Sequence, residues 1–340
     1  MHKWICLYLI LCFEETVNKK SDCGCAINRS PAVSLRNGNF FQRYALENLK
    51  QCELKINSKY EQLKVTNSMI LVPGGIYQLG TNDVVIEGDK EGPMRDVKLK
   101  SFYLDKYEVS NRDFGIFTEF TDYKTDAEIF GDSFVFTLFL NSSFRETMKD
   151  YRVVQAPWWY KIFGANWRHP SGPESNIFEA MDHPVIHVSW QDAQAYCKWR
   201  NARLPSEAEW EAACRGGERN TKYPWGNKLF PGRTHMANIW QGTFPNYNSK
   251  KDGYIGTNPV HMFPQNKFGL HNIAGNVWEW TQDSWAGDNF LFQSKEKVKK
   301  GGSYLCHRSY CYRYRCSARS HNTEDSSAGN LGFRCAKSLS

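Results

Sequence analysis

Gly301-Gly302-Ser303-Tyr304-Leu305-Cys306-His307-Arg308-Ser309-Tyr310-Cys311-Tyr312-Arg313-Tyr314-Arg315-Cys316 sets Cys306 and Cys311 five residues apart behind a double glycine. No regular element puts residues i and i+5 on one face. At about 100° per residue a helix separates them by roughly 140°, and a strand of period 2 sends them to opposite sides. If the two sulfurs meet, the His307-Arg308-Ser309-Tyr310 connection must bend. Two thiols in a bent, aromatic-flanked loop read as a redox or soft-metal site; a pair of ordinary structural half-cystines is the other reading of the same spacing.

Working outward, the segment is followed by Asn330-Leu331-Gly332-Phe333-Arg334-Cys335. It is preceded by Gly164-Ala165-Asn166-Trp167-Arg168-His169-Pro170, His183-Pro184-Val185, Val188-Ser189-Trp190, Arg203-Leu204-Pro205-Ser206-Glu207-Ala208-Glu209-Trp210-Glu211, Tyr223-Pro224-Trp225-Gly226-Asn227 and Gly275-Asn276-Val277-Trp278-Glu279-Trp280. Together these closely resemble the formylglycine-generating enzymes, or sulfatase-modifying factors, over roughly residues 68–338. The upstream segments are shared with non-enzymes of the superfamily and so imply the fold. The C-terminal segment with both cysteines implies the enzyme. The implied fold is α+β, a single compact domain poor in regular secondary structure, resembling the formylglycine-generating enzyme and C-type-lectin-like core.

Composition agrees with a sizeable core: 41% of residues are hydrophobic, with 12 Trp, 17 Tyr and 21 Phe in 340. The formal charge of +7 is spread without blocks, which argues against nucleic-acid binding. Residues 1–13 pair a cationic start (His2, Lys3) with a ten-residue apolar run, too short to span a bilayer and suited to a secretory signal. We expect a signal peptide over 1–22, with its cleavage point between 14 and 22, an N-terminal extension over 23–67, helical around 43–64, and the sulfatase-modifying domain over 68–338. No later stretch approaches a membrane span. Asn28-Arg29-Ser30 and Asn141-Ser142-Ser143 are glycosylation sequons. Of eleven cysteines, nine lie beyond residue 22; an oxidising compartment favours their pairing, and the odd count leaves one thiol over.

The core begins at Met69-Ile70-Leu71-Val72, a short apolar strand closed by Pro73-Gly74-Gly75. Phe114, Phe117 and Phe120 predict a helix over 110–120 with Asn111 as its cap. A second helix is predicted over 190–200, capped by Ser189, with Ala193, Ala195, Tyr196 and Trp199 inward. A third is predicted over 206–215, where Ser206 and Glu209 form a capping box. From 215 to 303 the chain is rich in Gly, Pro, Asn, Asp and Trp with little periodicity. So long an irregular stretch needs disulfides or bound ions to restrain it.

The resemblance also implies site residues. Cys306 and Cys311 match a pair that binds Cu(I) and is needed for turnover. Two thiolates are soft donors that select Cu(I) and leave room for a substrate sulfur. Ser303, Trp278, His307, Tyr310 and Asn330 are expected in or beside the substrate cleft, although each also reads as a turn, core or loop residue. Cys197–Cys335 and Cys214–Cys316 match structural bridges. Cys23 and Cys25 match a pair used for mixed disulfides with secretory-pathway thiol proteins, while Cys52 has no counterpart. Two structural Ca2+ sites are implied, one at Asn238, Ile239, Asp252 and Tyr254, the other at Asn272, Gly275, Val277 and Glu279, with Glu108 added. Calcium wants six to eight oxygens, which Gly- and Asn-rich loops supply. The implied activity is copper-dependent oxidation of a cysteine in the Cys-x-Pro-x-Arg motif of unfolded sulfatases to Cα-formylglycine, using O2 and a thiol. The expected setting is the lumen of the endoplasmic reticulum with partial secretion, as a monomer or weak dimer.

Other classes compete. A catalytically dead paralogue that binds sulfatases shares the fold and lacks the cysteine pair. An iron-dependent sulfoxide synthase needs a His-rich helical domain, and residues 21–66 hold no histidine. A lectin lacks its Glu-Pro-Asn or Gln-Pro-Asp calcium motif here. Zinc on Cys306, Cys311 and His307 is conceivable by ligand type.

Overall fold

Each of the longer helices starts where a hydroxyl stands just ahead of an acidic first turn, because that oxygen accepts an otherwise orphaned N–H. The computed structural model describes residue 65 and residues 68–285 and 295–339. The signal, Cys23, Cys25, Asn28, Cys52 and the helix expected around 43–64 lie outside them. The described helices are α1 (Asn111–Thr121), α2 (Asp126–Phe130), α3 (Ser142–Thr147), α4 (Trp190–Trp199) and α5 (Glu207–Cys214). Full capping boxes form at Thr125 with Glu128, Ser189 with Asp192 and Ser206 with Glu209. The cap of α1 is Ser110 and not Asn111: the Ser110 hydroxyl accepts from Asp113 N, and Asn111, already helical, donates from its side chain to Ala180 O. Trp199 is likewise not inward. It sits 36% exposed at the end of α4, with its ring against Phe117 and Tyr196.

Thirteen short strands accompany these helices among the described residues. They are β1 (Met69–Val72), β2 (Gly75–Leu79), β3 (Arg95–Leu99), β4 (Phe102–Asp105), β5 (Asp132–Phe136), β6 (Trp159–Phe163), β7 (Gly242–Thr243), β8 (Tyr247–Asn248), β9 (Trp278–Ser284), β10 (Glu296–Lys300), β11 (Arg319–Thr323), β12 (Leu331–Gly332) and β13 (Ala336–Ser338). One sheet runs β1-β4-β13, a second β11-β10-β9-β12, and three antiparallel strand pairs, β2-β3, β5-β6 and β7-β8, stand apart. β9 and β10 correct the expectation of an irregular run from 215 to 303. Trp278, Glu279, Trp280 and Thr281 are all buried, so β9 shows none of the alternation that marks a half-exposed strand.

Helices of at most 11 residues are marginal alone, so packing must hold them. α4 buries Tyr196 and Cys197 with Phe114, Phe117 and Phe333; α5 buries Trp210 and Cys214 with Val72, Leu104 and Ile273. Cys197 is joined to Cys335 and Cys214 to Cys316, each bridge inside one of these apolar clusters. Between them Arg334, fully buried, pairs with Glu279 at 2.7 Å and donates to the carbonyls of Asp105, Lys106 and His271, so its guanidinium is satisfied. Among the described residues no helix is long and apolar enough to cross a membrane.

Candidate active site

β10 delivers the chain to Gly301 and Gly302 at φ 91° and 71°, a region side chains disfavour. A Cβ on Gly302 would lie 3.0 Å from Tyr314 N, so the glycine lets the outgoing and returning strands of the loop touch. Beyond it the chain folds into consecutive turns: Cys306 N donates to Ser303 O at 2.8 Å and Cys311 N to His307 O at 2.7 Å. This is the bend that the five-residue spacing requires. It brings the Cα atoms of Cys306 and Cys311 to 4.7 Å with their sulfurs joined as a disulfide.

The pair lies at the floor of a cleft of about 310 Å3. One wall is aromatic, with Trp158, Trp159, Phe244 and Tyr310; the other is polar, with Lys299, Arg313, Ser320, Asn322 and Ser327. Tyr310 stacks on Phe244 at 4.4 Å and meets Trp158 edge-on at 4.6 Å, which pins the cysteine loop to the wall. Ser303 N points at the Cys306 sulfur from 3.4 Å, and Ser303 Oγ accepts from Asn330 Nδ2 at 3.0 Å. The Trp278 N–H donates to Asn330 O, tying β9 to the same floor.

The structure therefore brings Cys306, Cys311, Ser303, Trp278, Tyr310 and Asn330 to one cleft. His307 is not among its lining residues: its Nδ1 lies 2.7 Å from Ser309 Oγ on the outer side of the loop. Sequence reasoning missed Lys299, whose Nζ lies 5.0 Å from the Trp278 ring and bonds Asn322. Burial, with Arg313 adding repulsion, pushes its amine down to about 7. Arg313 is itself held by Asp89. The one available signal was the Lys299-Lys300 pair inside a strand: period 2 turns one lysine to each side. Lys300 faces the opposite way, 3.4 Å from both Glu207 and Glu211.

The residues expected to hold copper fit it by donor chemistry. Two buried sulfurs converge, and among the described residues no three His, Cys, Asp or Glu side chains gather into a harder cage. The loops expected to hold calcium offer hard oxygens. Asp252 accepts from Ile239 N and Tyr254 N, both at 3.1 Å, and burial raises its carboxyl. Asn272 Oδ1 is buried without a hydrogen-bond partner, the state of an acceptor aimed at a cation. Gly275 packs so closely that a Cβ would lie 2.4 Å from Asn238 O, placing the two loops in contact. Burial, and the neighbouring Glu279 charge, raise Glu108 to about 8.

The family described as the sulfatase-modifying factor enzyme 1-like domain matches residues 56–339. The formylglycine-generating enzyme of Mus musculus is 55% identical over 277 residues, covering 79% of this chain and 74% of its own. A Bos taurus protein named inactive C-alpha-formylglycine-generating enzyme 2 is 45% identical over 275 residues, covering 80% and 88%. The solved structure of PvdO from Pseudomonas aeruginosa shares the fold with a TM-score of 0.57 at 22% identity, over 80% of this chain and 94% of its own. The chain belongs to the formylglycine-generating enzyme, or sulfatase-modifying factor, family.

Proposed function

We propose that the protein is a working oxidase of this family, converting the cysteine of Cys-x-Pro-x-Arg in newly made sulfatase polypeptides to Cα-formylglycine. The observation that carries the reading is the convergence of Cys306 and Cys311 on the floor of a cleft that also presents Ser303, Trp278 and Asn330. The overall change balances as R-CH2-SH + O2 + 2e− + 2H+ → R-CHO + H2S + H2O, with two electrons from a thiol reductant that becomes a disulfide. The same class of reductant opens Cys306–Cys311, because only thiolates are metal ligands.

Cys306 and Cys311 would hold Cu(I), which supplies the one-electron chemistry that the spin-forbidden reaction of a thiol with O2 lacks. The chain's own residues do the rest. The Ser303 N–H donates to the Cys306 sulfur and fixes its orientation. Trp278 and the Trp158–Phe244–Tyr310 wall keep water from the sulfurs. Ser303 Oγ, positioned by Asn330, hydrogen-bonds the bound peptide. Holding the substrate thiol beside the pair accounts for selectivity through proximity.

Two calcium ions at the loops of Asn238, Ile239, Asp252 and Tyr254, and of Asn272, Gly275, Val277 and Glu279 with Glu108, would serve structure. Entry into the endoplasmic reticulum, glycans at Asn28 and Asn141, and mixed disulfides of thiol proteins with Cys23 and Cys25 complete the reading. Asn141 is exposed at the start of α3.

Copper-loaded protein, O2 and a thiol should convert a synthetic Cys-x-Pro-x-Arg peptide, seen by mass spectrometry as loss of the thiol and gain of a carbonyl. An unmodified peptide would transfer the protein to the second reading, a non-catalytic sulfatase-binding paralogue, which the likeness to the inactive bovine relative favours.

A further inference from the structure

A chain of three buried side chains runs into the polar wall of the cleft, and the direction of each of its hydrogen bonds can be worked out. His187 Nε2 lies 2.9 Å from Pro170 O, His187 Nδ1 lies 2.8 Å from Ser133 Oγ, and Ser133 Oγ lies 2.8 Å from Ser327 Oγ. His187 and Ser133 are 0% and 1% exposed, and Ser327 lines the cleft. A carbonyl can only accept, so Nε2 carries the ring hydrogen. Burial holds the imidazole down at about 4, so at neutral pH it has one hydrogen and Nδ1 is an acceptor. The single hydroxyl hydrogen of Ser133 goes to Nδ1. Ser133 Oγ then accepts, and the hydrogen of Ser327 is committed inward. What Ser327 offers the cleft is an oxygen lone pair.

The backbone supports the same arrangement. His187 sits at φ 59°, a conformation that a residue with a Cβ keeps only when its surroundings dictate it. Its N–H donates to Ala328 O at 3.0 Å, and Gly329 N donates to Phe134 O at 3.0 Å. A Cβ on Gly329 would stand 3.3 Å from His187 Nε2, so the glycine makes room for the ring. The segment carrying Ser327 is thus held from behind by His187 and from the side by β5.

We propose that Ser327 is a substrate-positioning acceptor for a backbone N–H of the bound peptide, with His187 and Ser133 as the relay that fixes its polarity. This rests on the proposed function, in which the sulfatase peptide occupies the cleft. It predicts that Ser327→Ala raises KM about 10-fold, the worth of one buried hydrogen bond, while kcat moves less than about threefold. Ser133→Ala, which frees the Ser327 hydrogen, raises KM less. A series of peptides N-methylated at one backbone position each identifies the donor: one position should cost the parent about 10-fold and cost Ser327→Ala almost nothing further. Calorimetry with the same peptides carrying Ser in place of the reactive Cys reads binding independently of turnover, so a failure of the proposed oxidation stays distinguishable from a failure of this contact. Additive losses at every N-methyl position, or Ser327→Ala binding as tightly as the parent, would overturn it. Equal losses in kcat and melting temperature without a change in KM would also do so, by making the chain a structural tie.

Discussion

The three cysteine pairs among the described residues share one bond type and sit in two kinds of setting. Cys197–Cys335 and Cys214–Cys316 join positions 138 and 102 residues apart inside apolar clusters, where no solvent reaches them. Cys306–Cys311 closes a separation of 5 on the floor of a cleft. In the chain-entropy description the long bridges each stabilise by about 5 kcal/mol and the short one by about 2. The short pair therefore has little to do for the fold, and its position beside Ser303 and Trp278 in the cleft is what the proposed chemistry rests on.

The sharpest way to break this division is to exchange the roles of the two kinds of pair. Cys306→Ser and Cys311→Ser should each lower peptide conversion at least about 10^3-fold while melting within a few degrees of the parent. Each should also lose Cu(I) in a competition titration. A single variant with full turnover would end the paired-ligand account. Removing a long bridge should do the reverse. Cys214→Ala with Cys316→Ala should cost about 2–5 kcal/mol in urea unfolding, with the folded fraction still converting peptide in the cold.

The loops proposed to hold calcium belong on the scaffold side of the comparison. Calcium at about 100 times its Kd would stabilise by about 2.7 kcal/mol, so excess chelator should lower Tm, and Asp252→Ala should reproduce part of the loss. A melt indifferent to chelator would take calcium out of the scaffold.

The smallest effect is a pH slope confined to the scaffold. Burial raises Asp192 at the start of α4 to about 7, above an unfolded carboxylate at about 4. The folded state then keeps a proton that the unfolded chain has lost. This contribution to stability is fully present below about pH 4 and is lost as pH rises through 7. Asp192→Asn should flatten that part of the urea-stability profile and leave KM for the peptide unchanged.

Much of this was legible in the chain itself. Capping at Ser189 and Ser206 is local chemistry: a hydroxyl three residues ahead of a carboxylate satisfies N–H groups whatever surrounds it. That the His307–Tyr310 connection must bend if the two sulfurs meet followed from helix and strand periodicity; that they do meet did not. The rest required packing. The first four residues of β9 are buried on both faces and so carried no alternation, and Trp199 lies where α4 runs out of core to cover it. The Lys299 amine, the aromatic clamp on Tyr310 and the His187–Ser133–Ser327 relay unite residues separated by up to 194 positions. Sequence by itself determined which residues can cap, turn and ligate, because those capacities belong to each side chain and its near neighbours. Tertiary structure alone decided which of them meet, which way each hydrogen bond runs and which cysteine pair lines the cleft, because burial and long-range contact are properties of the folded whole.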